Sequence, residues 1–189
     1  MAALAVGGYS RPEQFAYWVN LYNALTVRVV LDHYPVASIR DLYISPGLFA
    51  KGPWGRQLVE VEGEGLTLND IEHRILRPIW GDPRIHYAVN CASIGCPNLL
   101  AEAFTAGTSD RLLDSAARAY VNHPRGVSLQ GDGITVSSIY NWFASDFDAD
   151  GGVLPHLLRH ASAELAEQLQ RRPRIVDYVY DWSLNDAAD

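Results

Sequence analysis

The chain has 189 residues, of which 48% are hydrophobic and 20% are charged. This length and composition are typical of one folded domain and exclude a mainly disordered chain. Acidic residues outnumber basic ones by 22 to 15, and the formal net charge of -7 has the wrong sign for binding nucleic acid through its phosphates. We therefore expect a single domain over residues 1–189 and no nucleic-acid partner.

The chain has no apolar run of the ~18 residues that a membrane span requires. Its small apolar start is too short for a secretory signal and lacks the basic residues of one. We expect no membrane span and no signal peptide. The sequence assigns no compartment, because the helical pattern begins almost at once, as it also does in a trimmed piece of a longer protein.

The N-terminal part is predicted to be mainly helical. Apolar residues recur at three- and four-residue steps over 13–33, and Pro12 suits the first turn of a helix there. Residues 34–55 are rich in proline and glycine and are predicted to be irregular. An alternating strand over 57–61 then precedes an amphipathic helix that opens at Thr67 and is expected to stop at Pro78.

The segment from Arg84 to Cys91 is β-branched and aromatic, which predicts a central strand that ends in a small-residue loop. Cys96 directly precedes Pro97, and proline favours the first position of a helix. A short helix over 98–103 would therefore place Cys96 at its N-cap.

The C-terminal half is predicted to alternate helices with short strands. We expect helices over 109–122, after Ser137 and over 154–169, a hairpin of 127–130 with 133–136, and a final strand over 174–180. The fold class is therefore α+β, a single mixed domain with an N-terminal helix, a small mostly antiparallel sheet and a cysteine-bearing strand, loop and helix.

Asp146 to Gly151 matches the first half of a calcium loop, but Leu157 stands where the last carboxylate ligand is required. A solvated acidic turn is the favoured interpretation. The neighbouring aromatic residues have helical spacing and are predicted to pack in the core: Tyr140, Trp142, Phe143 and Phe147.

The chain has two cysteines, and they stand five residues apart. An N-cap position exposes Cys96 to unpaired amides and the positive end of a helix, which favours its thiolate, so Cys96 is the predicted nucleophile. Cys91 ends an apolar strand and is predicted to be buried and inert.

A thiolate nucleophile needs a base and a group that orients the base. His86 is the nearest histidine in sequence and is the predicted base, with Glu72 as its orienter. His73 projects about 100° away from Glu72 on the same helix and is the rival base. For His86, the alternative of a core histidine that is hydrogen-bonded to the backbone remains open.

Two other uses of these residues remain open. His73, His86, Cys91 and Cys96 together offer the four ligands of a small zinc site, although their spacing lacks a second tight pair. A disulfide between Cys91 and Cys96 is also geometrically feasible. The thiol hypothesis requires neither a metal nor another cofactor, and we expect none.

The order of motifs resembles the family called domain of unknown function 547. The resemblance covers about residues 15–185 and rests on WVNLYNAL at 18–25, SIRD at 38–41, DIEH at 70–73, DPRIHYAVNC at 82–91, SIGCP at 93–97 and YDWSLN at 180–185. The family usually has Ser before the second cysteine, where this chain has Gly95. The family is similar in turn to papain-like or transglutaminase-like thiol enzymes, which implies a papain-like fold in broad terms and a site of Cys96, His86 and Glu72.

The predicted function is a thiol-dependent hydrolase or acyltransferase that acts on an amide, isopeptide or thioester of a peptide or protein. Asn20 and Asn23 are predicted to support the cysteine loop through their side-chain amides. The opposing hypothesis is a non-catalytic module that binds a peptide or protein, in which Cys and His only pack the core.

Overall fold

The computed structural model describes residues 4–47 and 50–186 of the chain. The predicted first helix is confirmed as α1, Arg11–His33. It begins after Ser10, whose backbone amide donates to the Glu13 carboxylate (2.9 Å), and Pro12 lies in its first turn, where no amide donor is needed.

The predicted strand is shorter than expected and forms a hairpin, β1 (Val59–Val61) with β2 (Glu64–Leu66), which are antiparallel. The next helix begins with a π-helical segment, Asp70–Leu76, and continues as α2, Arg77–Trp80. The prediction that Pro78 stops this helix is wrong, because the hydrogen-bond register changes there: the Arg77 amide donates to the Glu72 carbonyl, five residues back, and the chain continues as an α-helix through Pro78 to Trp80.

The central strand predicted over Arg84–Cys91 is wrong. Pro83–Tyr87 forms a 3-10 helix, whose start is capped by the Asp82 side chain as it accepts from the Arg84 amide (2.9 Å). Ile85 and Tyr87 are buried on this helix, so the apolar composition reflects burial and not an extended backbone.

The C-terminal half contains α3 (Ser109–Val121), β3 (Val127–Gln130), β4 (Gly133–Ser137), α4 (Ile139–Trp142), a 3-10 helix (Ala144–Asp150), α5 (Val153–His160), α6 (Ala163–Arg171) and β5 (Ile175–Val179). The single helix predicted over 154–169 is instead two helices, because Ser162 caps α6 by accepting from the Leu165 amide. β3 and β4 are antiparallel, and β5 joins β4 in parallel. The fold is thus the expected α+β type.

Two apolar clusters meet at the 3-10 helix 83–87. Ile85 belongs to the cluster under α1, whereas Tyr87 belongs to the cluster around β4, α3 and α5. The cysteine segment therefore begins between two packed cores. Within the described ranges, no helix is both long and apolar enough to cross a membrane.

The backbone that leads to the cysteines is held by a side chain of α1. Asn23 donates from Nδ2 to the Ala88 carbonyl and accepts at Oδ1 from the Asn90 amide, both at 2.8 Å. This pair of bonds replaces the partner strand that the segment lacks. Asn20, one turn earlier, makes the corresponding pair of bonds to the backbone of Phe104, and among the described residues its side chain has no hydrogen bond to the cysteine loop.

The C-terminal segment closes the other side of the cysteine loop. The amides of Ile94 and Gly95 donate to the carbonyls of Ser183 and Asp181, each at 2.8 Å. A Cβ at Gly95 would lie 2.8 Å from the Asp181 backbone nitrogen, so glycine permits this close approach. The contact brings Tyr180 and Trp182 to the cysteines.

We predict that Asn23→Ala lowers the free energy of unfolding by about 2–4 kcal/mol, because it leaves a buried carbonyl and a buried amide without partners. Urea denaturation measures this change. Asn141→Ala, at an exposed position, is the control and should change stability by less than ~0.5 kcal/mol. Equal effects of the two substitutions would contradict the role of Asn23.

Two buried histidines of α5, His156 and His160, predict a loss of stability at acid pH. His160 is 4% exposed, and its Nδ1 finds no hydrogen-bond partner within the described residues. Burial lowers the pKa of His160 to about 4, and burial also lowers the pKa of neighbouring His156. The unfolded chain therefore binds more protons, so stability is full above about pH 6.5 and is lost as the pH falls towards 4.

We predict that His160→Phe removes part of the loss of stability at acid pH. At pH 4.5 the variant should have a Tm about 3 °C above that of the parent, which is the shift that roughly 1 kcal/mol produces in a domain of this size. Calorimetry at pH 7.5 and 4.5 measures it. His33→Gln, at the exposed end of α1, should keep the parent's pH dependence. A parent Tm that does not fall on acidification would refute the assignment.

Candidate functional site

A cavity of about 300 Å³ is lined by both cysteines and by the predicted base, orienter and rival base, but not by Asn20 or Asn23. Its aromatic walls are Tyr22, Trp54, Trp142, Phe143, Tyr180 and Trp182, and its polar groups are Asn69, Glu72, His73, His86, Cys91 and Cys96. A wider groove along α1, of about 630 Å³, has no cysteine or histidine in its lining. The cavity is therefore the place where the candidate chemistry can occur.

Cys91 is the more accessible of the two thiols. It is half-buried, and its Sγ lies 2.9 Å from the Tyr180 hydroxyl and 3.2 Å from the Ser93 hydroxyl. A hydrogen bond from the Cys96 thiol, and then those from Ser93 and Tyr180, lower the pKa of Cys91, although its burial opposes them. Cys91 was predicted to be buried, and the structure shows it only half-buried, with two hydroxyls beside its sulfur.

Cys96 is buried, with 2% of its surface exposed. The short helix predicted over 98–103 does not form, so Cys96 is not an N-cap and no helix end stabilises its thiolate. Its Sγ accepts from the Cys91 amide at 3.1 Å. Burial raises the pKa of Cys96 well above its ordinary value, so this thiol stays protonated, and its Sγ lies 3.8 Å from the Val89 carbonyl, to which it donates.

His86 is oriented by Asp146 and not by Glu72. Its Nε2 lies 2.7 Å from Asp146 Oδ2, and its ring stacks on Phe143 with centroids 4.2 Å apart. Burial would raise the pKa of Asp146, but hydrogen bonds from His86 and Arg77 hold it well below its ordinary value. Because the ionised carboxylate only accepts, Nε2 carries the proton, and Nδ1 is left without a protein partner among the described residues.

The second imidazole of the cavity, that of His73, differs from His86 in which ring nitrogen the protein occupies. Arg77 binds both oxygens of Asp146 (2.6 and 2.8 Å) and donates from Nη1 to His73 Nδ1 at 3.0 Å. A guanidinium has no acceptor, so Nδ1 of His73 accepts and its Nε2 carries the proton. His73 is thus arranged as a donor, whereas His86 presents an unprotonated nitrogen.

Glu72 lies on the π-helical segment and faces the cavity from a buried position. Its Oε2 accepts from the Tyr22 hydroxyl at 3.1 Å, and its Oε1 lies 3.9 Å from His73 Nδ1. None of its hydrogen bonds involves His86. Glu72 therefore lines the same cavity as His86, but its hydrogen-bond partner is Tyr22 and not His86.

Sequence reasoning missed Asp146 and Tyr180 as site residues. Asp146 was assigned to a solvated turn, but Arg77 and His86 hold it, and its side chain is only 22% exposed. The other end of that turn, Asp150, binds His156 and Arg159. A carboxylate that faces a histidine from 60 residues away leaves no local sequence signal, whereas the YDWSLN motif at 180–185 did mark the segment that carries Tyr180.

Of the aromatic residues that were predicted to pack in the core, Tyr140 and Phe147 are fully buried, but Trp142 is 46% exposed and lines the cavity with Phe143. In the part of the chain that the structure describes, no three His, Cys, Asp or Glu side chains are grouped as a metal site requires. The four residues of the zinc alternative thus line one cavity but are not arranged around one point.

Comparison with known proteins gives a family and no activity. The family described as "Protein of unknown function, DUF547" matches residues 6–121, which is more than half of the chain. No curated protein and no solved structure matches. The matched region contains both cysteines, His73, His86 and Glu72, while Asp146 and Tyr180 follow it. The chain therefore belongs to the DUF547 family.

Proposed function

We propose that this cavity is the active site of a thiol-dependent hydrolase or acyltransferase that acts on an amide, isopeptide or thioester of a peptide or protein. The proposal depends above all on one observation: Asp146 fixes an imidazole with a free Nδ1 in the same cavity as a thiol whose pKa is lowered. Base, orienter and nucleophile are the three parts that covalent acyl transfer needs.

In this proposal Cys91 is the nucleophile, in place of the Cys96 that the sequence favoured. Cys91 lines the cavity and has two hydroxyls within hydrogen-bond distance of its sulfur, whereas Cys96 is buried with a raised pKa. Burial raises the pKa of Tyr180, so its hydroxyl remains a donor and stabilises the thiolate of Cys91. Cys96 then supports the site, because its sulfur accepts from the Cys91 amide and its presence lowers the pKa of Cys91.

His86 takes the thiol proton at Nδ1 as Cys91 attacks the acyl carbon, and it returns the proton to the leaving group. The resulting thioester is cleaved by water or by another acceptor, which regenerates the thiol. The described hydrogen bonds of the Cys91 sulfur go to Ser93 and Tyr180, so the sulfur must turn towards His86 when substrate binds. Catalytic hydrogen bonds often tighten only in the substrate complex.

The resemblance to papain-like and transglutaminase-like enzymes supports the same chemistry, because those enzymes also combine a cysteine with an oriented histidine. The residues that perform it differ here from the expected set. Asp146 takes the orienting role that the resemblance assigned to Glu72, and this leaves Glu72 without a part in the proton transfer.

We predict that iodoacetamide labels Cys91 of the folded protein rapidly at pH 7 and that Cys91→Ala abolishes this labelling. Cys96→Ala should slow the labelling severalfold, because Cys91 loses the neighbouring thiol that lowers its pKa. Mass spectrometry of peptides identifies the labelled site. A fast label on Cys96 would reverse the assignment, and labelling only after unfolding would favour the non-catalytic binding module.

We predict that Asp146→Asn slows acyl-enzyme formation with p-nitrophenyl acetate by roughly 10²- to 10⁴-fold, because the imidazole loses the carboxylate that fixes its tautomer. His86→Gln should have at least as large an effect. The burst of p-nitrophenol measures the step, and circular dichroism verifies the fold of each variant.

His73→Gln is the matched control for these substitutions, since it removes the other imidazole of the cavity. It should change the burst rate by less than about threefold, because a donor at this position takes no proton. A larger effect of His73→Gln than of His86→Gln would transfer the base to the π-helical segment and refute the role of Asp146.

A further inference from the structure

The buried carboxylate of Glu72 has one oxygen that the protein does not satisfy. Oε2 accepts from Tyr22, whereas Oε1 has no hydrogen bond among the described residues and lies 3.9 Å from Nδ1 of His73. That nitrogen already accepts from Arg77 and has no proton to give. Among the described residues, Oε1 therefore lacks a donor, although the residue is only 7% exposed and lines the cavity.

The charges that line the cavity favour a positively charged ligand. No lysine or arginine is among the described lining residues, and Glu72 is the one acidic residue there. The two nearby guanidiniums have other partners: Arg77 is paired with Asp146, and Arg40 stacks on Trp182 at 4.9 Å. An anionic group entering the cavity would lie close to the Glu72 carboxylate, and no lysine or arginine among the described lining residues would offset the repulsion.

The aromatic walls of the cavity can pack against an apolar chain that carries a positive charge at its end. Trp142, Tyr180 and Trp182 pack with ring centroids 4.7–5.6 Å apart, and Trp54 meets Trp182 edge-on at 5.8 Å. Aromatic faces attract cations as well as methylene groups. The volume of about 300 Å³ accommodates a flexible chain of several carbon atoms.

We propose that this cavity binds a primary ammonium group on an apolar stem, such as a lysine side chain, with its nitrogen donating to Glu72 Oε1 and its stem against the tryptophan rings. As a statement about substrate, this rests on the proposed function: the peptide or protein attacked by Cys91 presents an amine-bearing side chain next to the bond that reacts. Glu72 then recognises the substrate, and Asp146 orients the base.

The test measures binding to the Cys91→Ala variant by calorimetry at pH 7, with n-hexylammonium, hexanoate and hexan-1-ol as probes. We expect hexylammonium to bind at least tenfold more tightly than hexanoate. Glu72→Gln, which keeps an acceptor for Tyr22, should weaken hexylammonium about tenfold and leave hexanol unchanged, as loss of one charge-assisted hydrogen bond predicts. Hexanoate binding as tightly as hexylammonium, or no binding of hexylammonium, would overturn the proposal.

A second variant covers the case in which Glu72→Gln does not fold. Asn69 lies at an exposed position of the lining, so Asn69→Lys should fold and should reverse the preference towards hexanoate. An unchanged preference would overturn the proposal. Because the probes need no thiol, failure of hexylammonium binding and failure of Cys91 alkylation are separate results, and either can occur without the other.

Discussion

The arrangement of the cavity depends on the carboxylate of Asp146. It receives two hydrogen bonds from Arg77 and one from His86, and it thereby links three helical segments that carry the two imidazoles and the acidic turn. Its oxygens satisfy both cationic and neutral donors, so it stays ionised. The two histidines consequently differ in their free nitrogen: Nδ1 of His86 is free to accept a proton, whereas Nδ1 of His73 is occupied by Arg77.

The cysteine segment has no regular secondary structure of its own after the 3-10 helix, and its position is set from outside. Asn23 of α1 binds its backbone on one side, while the backbone of 181–185 binds it on the other. Asn90 completes the loop by accepting from the Ala92 amide and donating to the Pro97 carbonyl. The two sulfurs are therefore held by a hydrogen-bonded loop between two cores, and not by a helix end.

The sequence predicted local features well where periodicity and capping decide the structure. α1, α3 and the β3–β4 hairpin follow from apolar spacing and turn residues. It failed at 84–91, because a buried 3-10 helix and a buried strand have the same apolar composition. Pro97 predicted a helix over 98–103, but the backbone there is irregular, so the helix end that was expected beside Cys96 is absent from this part of the structure.

The predicted cavity residues did come together, since Glu72, His73, His86 and both cysteines line one space. Their partners could not be inferred, because Asp146 and Tyr180 reach them from distant parts of the chain and the pairing depends on how the two cores pack. The tautomer of His86 is the direct consequence of that pairing. Long-range ¹H–¹⁵N NMR of the imidazoles at neutral pH measures it: the account predicts a protonated Nε2 and an unprotonated Nδ1 in His86, and a proton on Nδ1 of the neutral ring would contradict it.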